Sequence, residues 1–148
     1  MARYAENRRA RFDYEILEKY ETGIELLGSE VKSVRGGQMS LEGSFIIVRG
    51  GEAFLINANI PPYQPKNAGE DYDPLRNRRL LLTKKELQEL TKSEKNKSLT
   101  IVPISVYNKG RKIKVEIALV KGKKKFDKRE TIKKRETDRE VRREAKER

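Results

Sequence analysis

Over the first 120 residues apolar side chains recur mostly at alternate positions, the period of a half-buried strand. Only two short stretches carry helical spacing. The alternation is strictest at 112–120, where Ile113, Val115, Ile117 and Leu119 point inward between Lys112, Lys114 and Glu116. A run at 99–107 pairs with it across Asn108-Lys109-Gly110-Arg111, and Pro103, lacking an N–H, predicts an edge or a bulge there. A second hairpin joins 44–48 to 53–57 through Gly50-Gly51, since two glycines supply the positive φ of a tight turn. Two more strands are expected at 14–20 and 22–27. Ser29 is placed to cap a short helix at 30–35 that Gly36-Gly37 stops. Thr83 with Glu86 forms a capping box before a helix that carries Leu87 and Leu90 on one face. Residues 59–79 contain Pro61, Pro62, Pro65 and Pro74 and are expected as loop.

Six short strands, one helix between strands and one late helix predict a mainly β fold. The expected form is an OB-like closed antiparallel barrel with flanking short helices. An SH3-like barrel and an α+β sandwich satisfy the same pattern. The barrel domain is expected to occupy residues 1–120, with its basic N-terminal segment. Residues 121–148 form a separate basic C-terminal tail, whose only clearly apolar side chains are Phe126, Ile132, Val141 and Ala145. Four such side chains do not offset about 1–2 kcal/mol of backbone entropy per residue, so the tail is expected to be disordered when free.

Charge changes the picture most. The 148-residue chain has a net charge of +12. The tail holds fourteen bases against seven acids, and residues 1–12 hold four against one, so the body between is almost neutral. Excess positive charge at both ends points to a phosphate backbone as partner. An anionic membrane fits less well, because the tail lacks the wide apolar face of an interfacial helix. No stretch approaches 18 apolar residues and the N-terminus carries no apolar core of a signal peptide, which predicts a cytoplasmic protein with no membrane partner.

Candidate chemistry is sparse. Cysteine and histidine are both absent, removing disulfides, thiolates and the commonest general base. Glu70, Asp71 and Asp73 are the one carboxylate cluster outside the tail, and a Mg²⁺-dependent nuclease would have to use them. Asp73-Pro74 reads more simply as the start of a turn. No P-loop, zinc spacing or dinucleotide fingerprint occurs, so no enzyme, cofactor or metal is expected. Arg76, Arg78 and Arg79, near Tyr63 and Tyr72, are instead candidate RNA contacts, with guanidinium groups for phosphates and rings for unpaired bases. Read structurally, they would be the solvated rim of a core segment Leu80-Leu81-Leu82. Arg35, in the basic last turn of the first helix, is a further candidate.

Six blocks, in order, carry a resemblance: Asn7-Arg8-Arg9-Ala10-Arg11-Phe12-Asp13-Tyr14; Tyr20-Glu21-Thr22-Gly23-Ile24; GSEVKSVRGG at 28–37; GEAFLINANIPPY at 51–63; DPLRNRRLLL at 73–82; and GKKKFDKRETIKKRE at 122–136. Together they resemble the small protein B family, the SsrA (tmRNA)-binding proteins of bacterial trans-translation, over most of the chain. The resemblance implies an OB-type barrel that holds the tRNA-like part of tmRNA through Asn7, Glu21 and Leu81, with Arg8 and Arg11 beside Asn7. It also implies a tail that becomes helical in the decoding centre and empty mRNA channel of the ribosome, against small-subunit rRNA. The tail residues concerned are Gly122, Lys123, Lys124, Phe126, Asp127, Lys128 and Arg129. Elongation factor Tu is implied as a partner in the delivery complex. Phe126 stands where many members have histidine, which keeps base stacking and loses any role for a protonated imidazole. A ribosomal or assembly protein with a basic extension is the competing RNA-binding reading.

Overall fold

The computed structural model describes residues 3–64 and 71–122. In chain order the elements are β1 (Arg3–Glu6), α1 (Ala10–Asp13), β2 (Tyr14–Ile24), α2 (Gly28–Arg35), β3 (Phe45–Arg49), β4 (Glu52–Ile56), β5 (Arg78–Leu81), α3 (Lys84–Glu94), β6 (Leu99–Lys109) and β7 (Lys112–Gly122). Every strand pairing is antiparallel. Neighbours run β6-β3-β4-β5-β2-β7 and return to β6, while β1 adds to the other edge of β6. The seam between β3 and β6 is the narrowest, a single register pair of Ile46 with Ile101. The mainly β, antiparallel expectation therefore holds, with helices set against the sheet.

Several local expectations hold for the reasons given. The first hairpin turns on Gly50 and Gly51, at φ 59° and 74°, between the paired Arg49 and Glu52. Thr83 Oγ1 accepts from the Glu86 N–H at 3.2 Å, and Glu86 accepts from the Thr83 N–H at 3.0 Å. That cap contributes about 1 kcal/mol and starts α3, whose Leu90 is fully buried. Register shifts between Pro103 and Ser105, so the proline sits at a bulge.

Four readings are corrected. Residues 14–20 and 22–27 are not two strands but the single β2, because Gly23 pairs with Leu81 within the sheet rather than ending a strand. The cap of α2 is not Ser29: the helix starts at Gly28, and Glu30 Oε1 accepts from the Leu27 N–H at 2.8 Å. Strands β1 and β5 were not anticipated. β5 alternates buried and exposed, but its inward positions are Arg78 and Leu80, and an inward arginine hides the pattern. Finally, β7 runs to Gly122 and buries both faces near its end. Val115, Ile117 and Leu119 join the main core, while Ala118 and Val120 pack with Ala10 and Val102 in a second cluster beside α1.

Candidate nucleic-acid interface

The pairing registers lay out the outer surface. One row crosses four strands through Glu6, Ser105, Glu116 and Glu21, and the next runs through Arg3, Tyr107, Lys114, Gly23 and Leu81. At about 4.8 Å per strand, Leu81 on β5 stands one strand and one row from Glu21 on β2, while Asn7 follows Glu6, about 14 Å along the sheet from Glu21. Residues remote in sequence thus become neighbours.

Asn7 closes β1 onto the bulge of β6. Its side-chain amide donates to the Pro103 carbonyl at 3.0 Å and its N–H donates to the Ile104 carbonyl at 2.8 Å. The Asn7 carbonyl accepts from Ala10, opening α1 and leaving Arg8 and Arg9 exposed. Arg11 lies in α1.

Leu81 remains 45% exposed although it stands mid-sheet. A Cβ built on Gly23 would meet Leu81 at 3.3 Å, so the glycine makes room for it. Beside them a groove of about 360 Å³ is lined by Gly23, Ile24, Leu81 and Ile113 and by four cations, Arg35, Arg111, Lys112 and Lys114. None of the described residues lining it is acidic. Arg35 is held in place because Nη2 donates to the Arg111 carbonyl at 2.9 Å, tying α2 to the β6–β7 turn. An apolar surface ringed by cations suits an unpaired base with its flanking phosphates.

Glu21, exposed at the same surface, is already engaged. Its Oε2 accepts from the Tyr107 hydroxyl at 2.5 Å and its Oε1 from Lys109 Nζ at 3.0 Å. The Tyr107 hydrogen bond, then Lys109, hold this carboxyl below the ordinary carboxylate range. Burial, followed by the Glu21 carboxylate, pushes the Tyr107 phenol upward.

The three neighbouring arginines do different things. Arg78 has no exposed surface: its guanidinium grips Glu30 Oε2 at 2.6 Å and 2.9 Å and the carbonyls of Ala58, Arg76 and Pro74. It is a buried brace and cannot reach a phosphate, which corrects its reading as an RNA contact. Arg76 binds the same carboxylate from a half-buried position. Only Arg79 lies open, in exposed ion pairs with Glu52 at 3.2 Å and Glu25 at 3.6 Å. Exposed pairs of this kind contribute about 0–1 kcal/mol and exchange readily for phosphate. Tyr72, one of the two expected stacking rings, is instead spent on the Ile60 carbonyl at 2.7 Å and on Glu30 at 3.1 Å. Tyr63 is 45% exposed.

Asp73 does start a turn, accepting from the Leu75 N–H at 2.9 Å. Among the described residues no cluster of His, Cys, Asp or Glu is placed to hold a metal, and Glu70 falls outside them. No helix among them is long and apolar enough to cross a membrane. Of the tail, Gly122 ends β7; Lys123, Lys124, Phe126, Asp127, Lys128 and Arg129 lie outside the described residues. Sequence reasoning missed Tyr107, Lys109, Arg111, Lys112 and Lys114. The basic turn at 109–112 was a visible signal, whereas nothing local marks Tyr107.

The family model described as SmpB protein matches residues 4–147. The chain belongs to the SmpB family. A similar relative is an SsrA-binding protein of Thermosynechococcus vestitus, 47% identical over 144 residues that cover 97% of this chain and 95% of that one. Another, from Sulfurihydrogenibium, is 53% identical over 137 residues, covering 93% and 90%. A solved chain described as "tmRNA-SmpB: a journey to the center of the bacterial ribosome" is 46% identical, with a TM-score of 0.67, and the match covers 86% of this chain and 92% of that one. The sheet that sets Glu21 beside Leu81 is therefore an SmpB-family sheet.

Proposed function

We propose that this SmpB-family protein is a non-catalytic, cytoplasmic RNA-binding adaptor of trans-translation. It binds the tRNA-like domain of tmRNA and delivers it to ribosomes stalled without mRNA beyond the decoding site. The observation that carries this reading is exposed Leu81 in an apolar groove whose charged lining residues are all cations. The body is read as an OB-type barrel ending at Gly122, and 123–148 as the arm that becomes helical in the empty mRNA channel. About 22 helical residues within that arm would span about 33 Å, enough to follow a channel that a resident mRNA would deny it. Asp127-Lys128-Arg129 and Gly122-Lys123-Lys124, the latter starting on the last residue of β7, are the decoding-region contacts in this reading, with Phe126 stacking.

Sequencing the RNA that co-purifies with the tagged chain tests the proposal, and tmRNA should dominate. Recovery of ribosomal RNA alone, stoichiometric with every subunit, would make the chain a ribosomal or assembly protein instead. Binding to a tRNA-like tmRNA fragment should weaken steeply with salt, by about 0.9 in log–log slope per phosphate contact on a duplex.

The groove makes a sharper demand. Leu81→Asp should cost about 1 kcal/mol of stability or less, since Leu81 is half-exposed, yet lower affinity for the fragment at least tenfold. The new carboxylate would pair with the groove's own cations and withdraw them from phosphate. Thermal unfolding measured beside the RNA titration checks this, and a large loss of stability would return Leu81 to the core.

A further inference from the structure

The two oxygens of Glu21 are held by very different partners. Tyr107 is only 7% exposed and sits mid-strand in β6, with β1 bonded on one side at Arg3 and β7 on the other at Lys114. Its ring has no room to swing, so its hydroxyl fixes Oε2 at 2.5 Å. Lys109 ends β6 beside the Gly110 turn with its side chain 61% exposed, and it reaches Oε1 at 3.0 Å on a flexible stem. Two further charges face the pair without a hydrogen bond to it: Lys114, which lines the groove and acts on Glu21 through space, and Glu116, which pairs with Lys19 at 3.7 Å and acts on Tyr107.

An ionised carboxylate only accepts hydrogen bonds, while RNA offers neutral donors, ribose hydroxyls and base amino groups, next to phosphates. We propose that Lys109 is a built-in occupant of Glu21 Oε1 that RNA displaces, and that Tyr107 is a positioning residue that keeps the carboxylate aimed while the exchange occurs. This rests on the reading of the surface as an RNA site. The exchange conserves partners. Oε1 passes from an ammonium to a ribose or base donor, and Nζ passes from the carboxylate to a phosphate oxygen. A surface without a neutral donor beside its phosphate, such as a simple polyanion, can take the lysine but leaves Oε1 unsatisfied. Glu21 would therefore reject non-specific polyanions while accepting the matched RNA.

The test is titration of the full chain with the tRNA-like tmRNA fragment across a range of KCl, using wild type, Lys109→Met, Tyr107→Phe, Glu21→Gln and the Tyr107→Phe/Glu21→Gln double variant. Lys109→Met loses one phosphate contact and also the ion pair that RNA must break. Its salt slope should therefore fall by about 0.9, with weaker binding at low salt and equal or tighter binding at high salt, so that its line crosses that of wild type. A line lying below wild type at every salt concentration would overturn the displacement. Tyr107→Phe should weaken binding several-fold with an unchanged slope, and the double variant should be no weaker than Glu21→Gln alone. Additive losses would overturn the positioning role. Competition by inorganic polyphosphate, which carries no neutral donor, adds a further readout: Glu21→Gln should be more easily titrated off the fragment by polyphosphate than wild type, and equal sensitivity would count against rejection of polyanions. Circular dichroism guards against unfolding of Tyr107→Phe, in which case the Lys109→Met crossing still decides. Failure of the wild type to bind the fragment would instead sink the functional reading itself.

Discussion

A chain ending at Gly122 should fold, keep most of its affinity for the tRNA-like fragment and tag no product of stalled ribosomes. The body loses no described contact by this cut. Lys121 still pairs with Glu15 and Leu99, and Gly122 with Tyr14, so β7 is complete. Cutting after Val120, where the sequence alternation stops, would remove those last pairs. The groove cations Arg35, Arg111, Lys112 and Lys114 also remain. Affinity should fall moderately at low salt, because the tail carries much of the +12 charge, and little at high salt. Tagging is lost because, in the proposed mechanism, the removed arm is the part that senses an empty channel. A finer variant separates charge from contact. Replacing Asp127, Lys128 and Arg129 by alanine removes a net charge of only +1, yet tagging in a reconstituted translation system should collapse while fragment binding persists. Normal tagging by that variant would reduce the tail to a polycationic anchor.

Glu30→Ala should destabilise the body by about 3–5 kcal/mol, a large share of the stability of a domain this size. Glu30 is 1% exposed, and its carboxylate takes both guanidinium groups, the Tyr72 hydroxyl and the Leu27 N–H. Without it, Arg78 is a buried cation with only carbonyls and the Tyr72 hydroxyl for partners. Urea unfolding checks the figure, and a loss below about 1 kcal/mol would mean that water reaches Arg78. The same site predicts acid lability. Burial alone would raise the Glu30 carboxyl, but Arg76, the Leu27 N–H and Arg78 more than offset it and leave it below the ordinary range. A carboxyl depressed in the folded state contributes its full stability above its unfolded value, near about 4.3, and loses it as pH falls through the folded one. Wild type should therefore lose stability on acidification through that window, and Glu30→Ala should show a flatter profile.

What the sequence made legible was local. The Gly50-Gly51 turn, the Thr83 box, the Pro103 bulge and the Asp73 turn each depend on residues within a few positions of one another, so their chemistry can be read along the chain. The missed features are long-range. β1 is made a strand by an open edge of β6, not by its own residues Arg3–Glu6. Arg78 looks like any surface arginine until Glu30, 48 residues away, is folded against it. Tyr107 and Glu21 are 86 residues apart, and only the β2–β7–β6 registers bring them within reach. The family blocks located Asn7, Glu21 and Leu81, but not the neighbours that orient them.

β7 passes the groove at Lys114 and ends at Gly122, bonded along its length to β2 and β6. Eight residues at about 3.3 Å set the groove and the root of the tail about 26 Å apart, on one strand that cannot flex by itself. The groove and Gly122 therefore sit on one rigid ruler. In the proposed mechanism an RNA seated at Leu81 would fix where Gly122 stands, so the place at which the arm is rooted, relative to the RNA, would be set by the body alone.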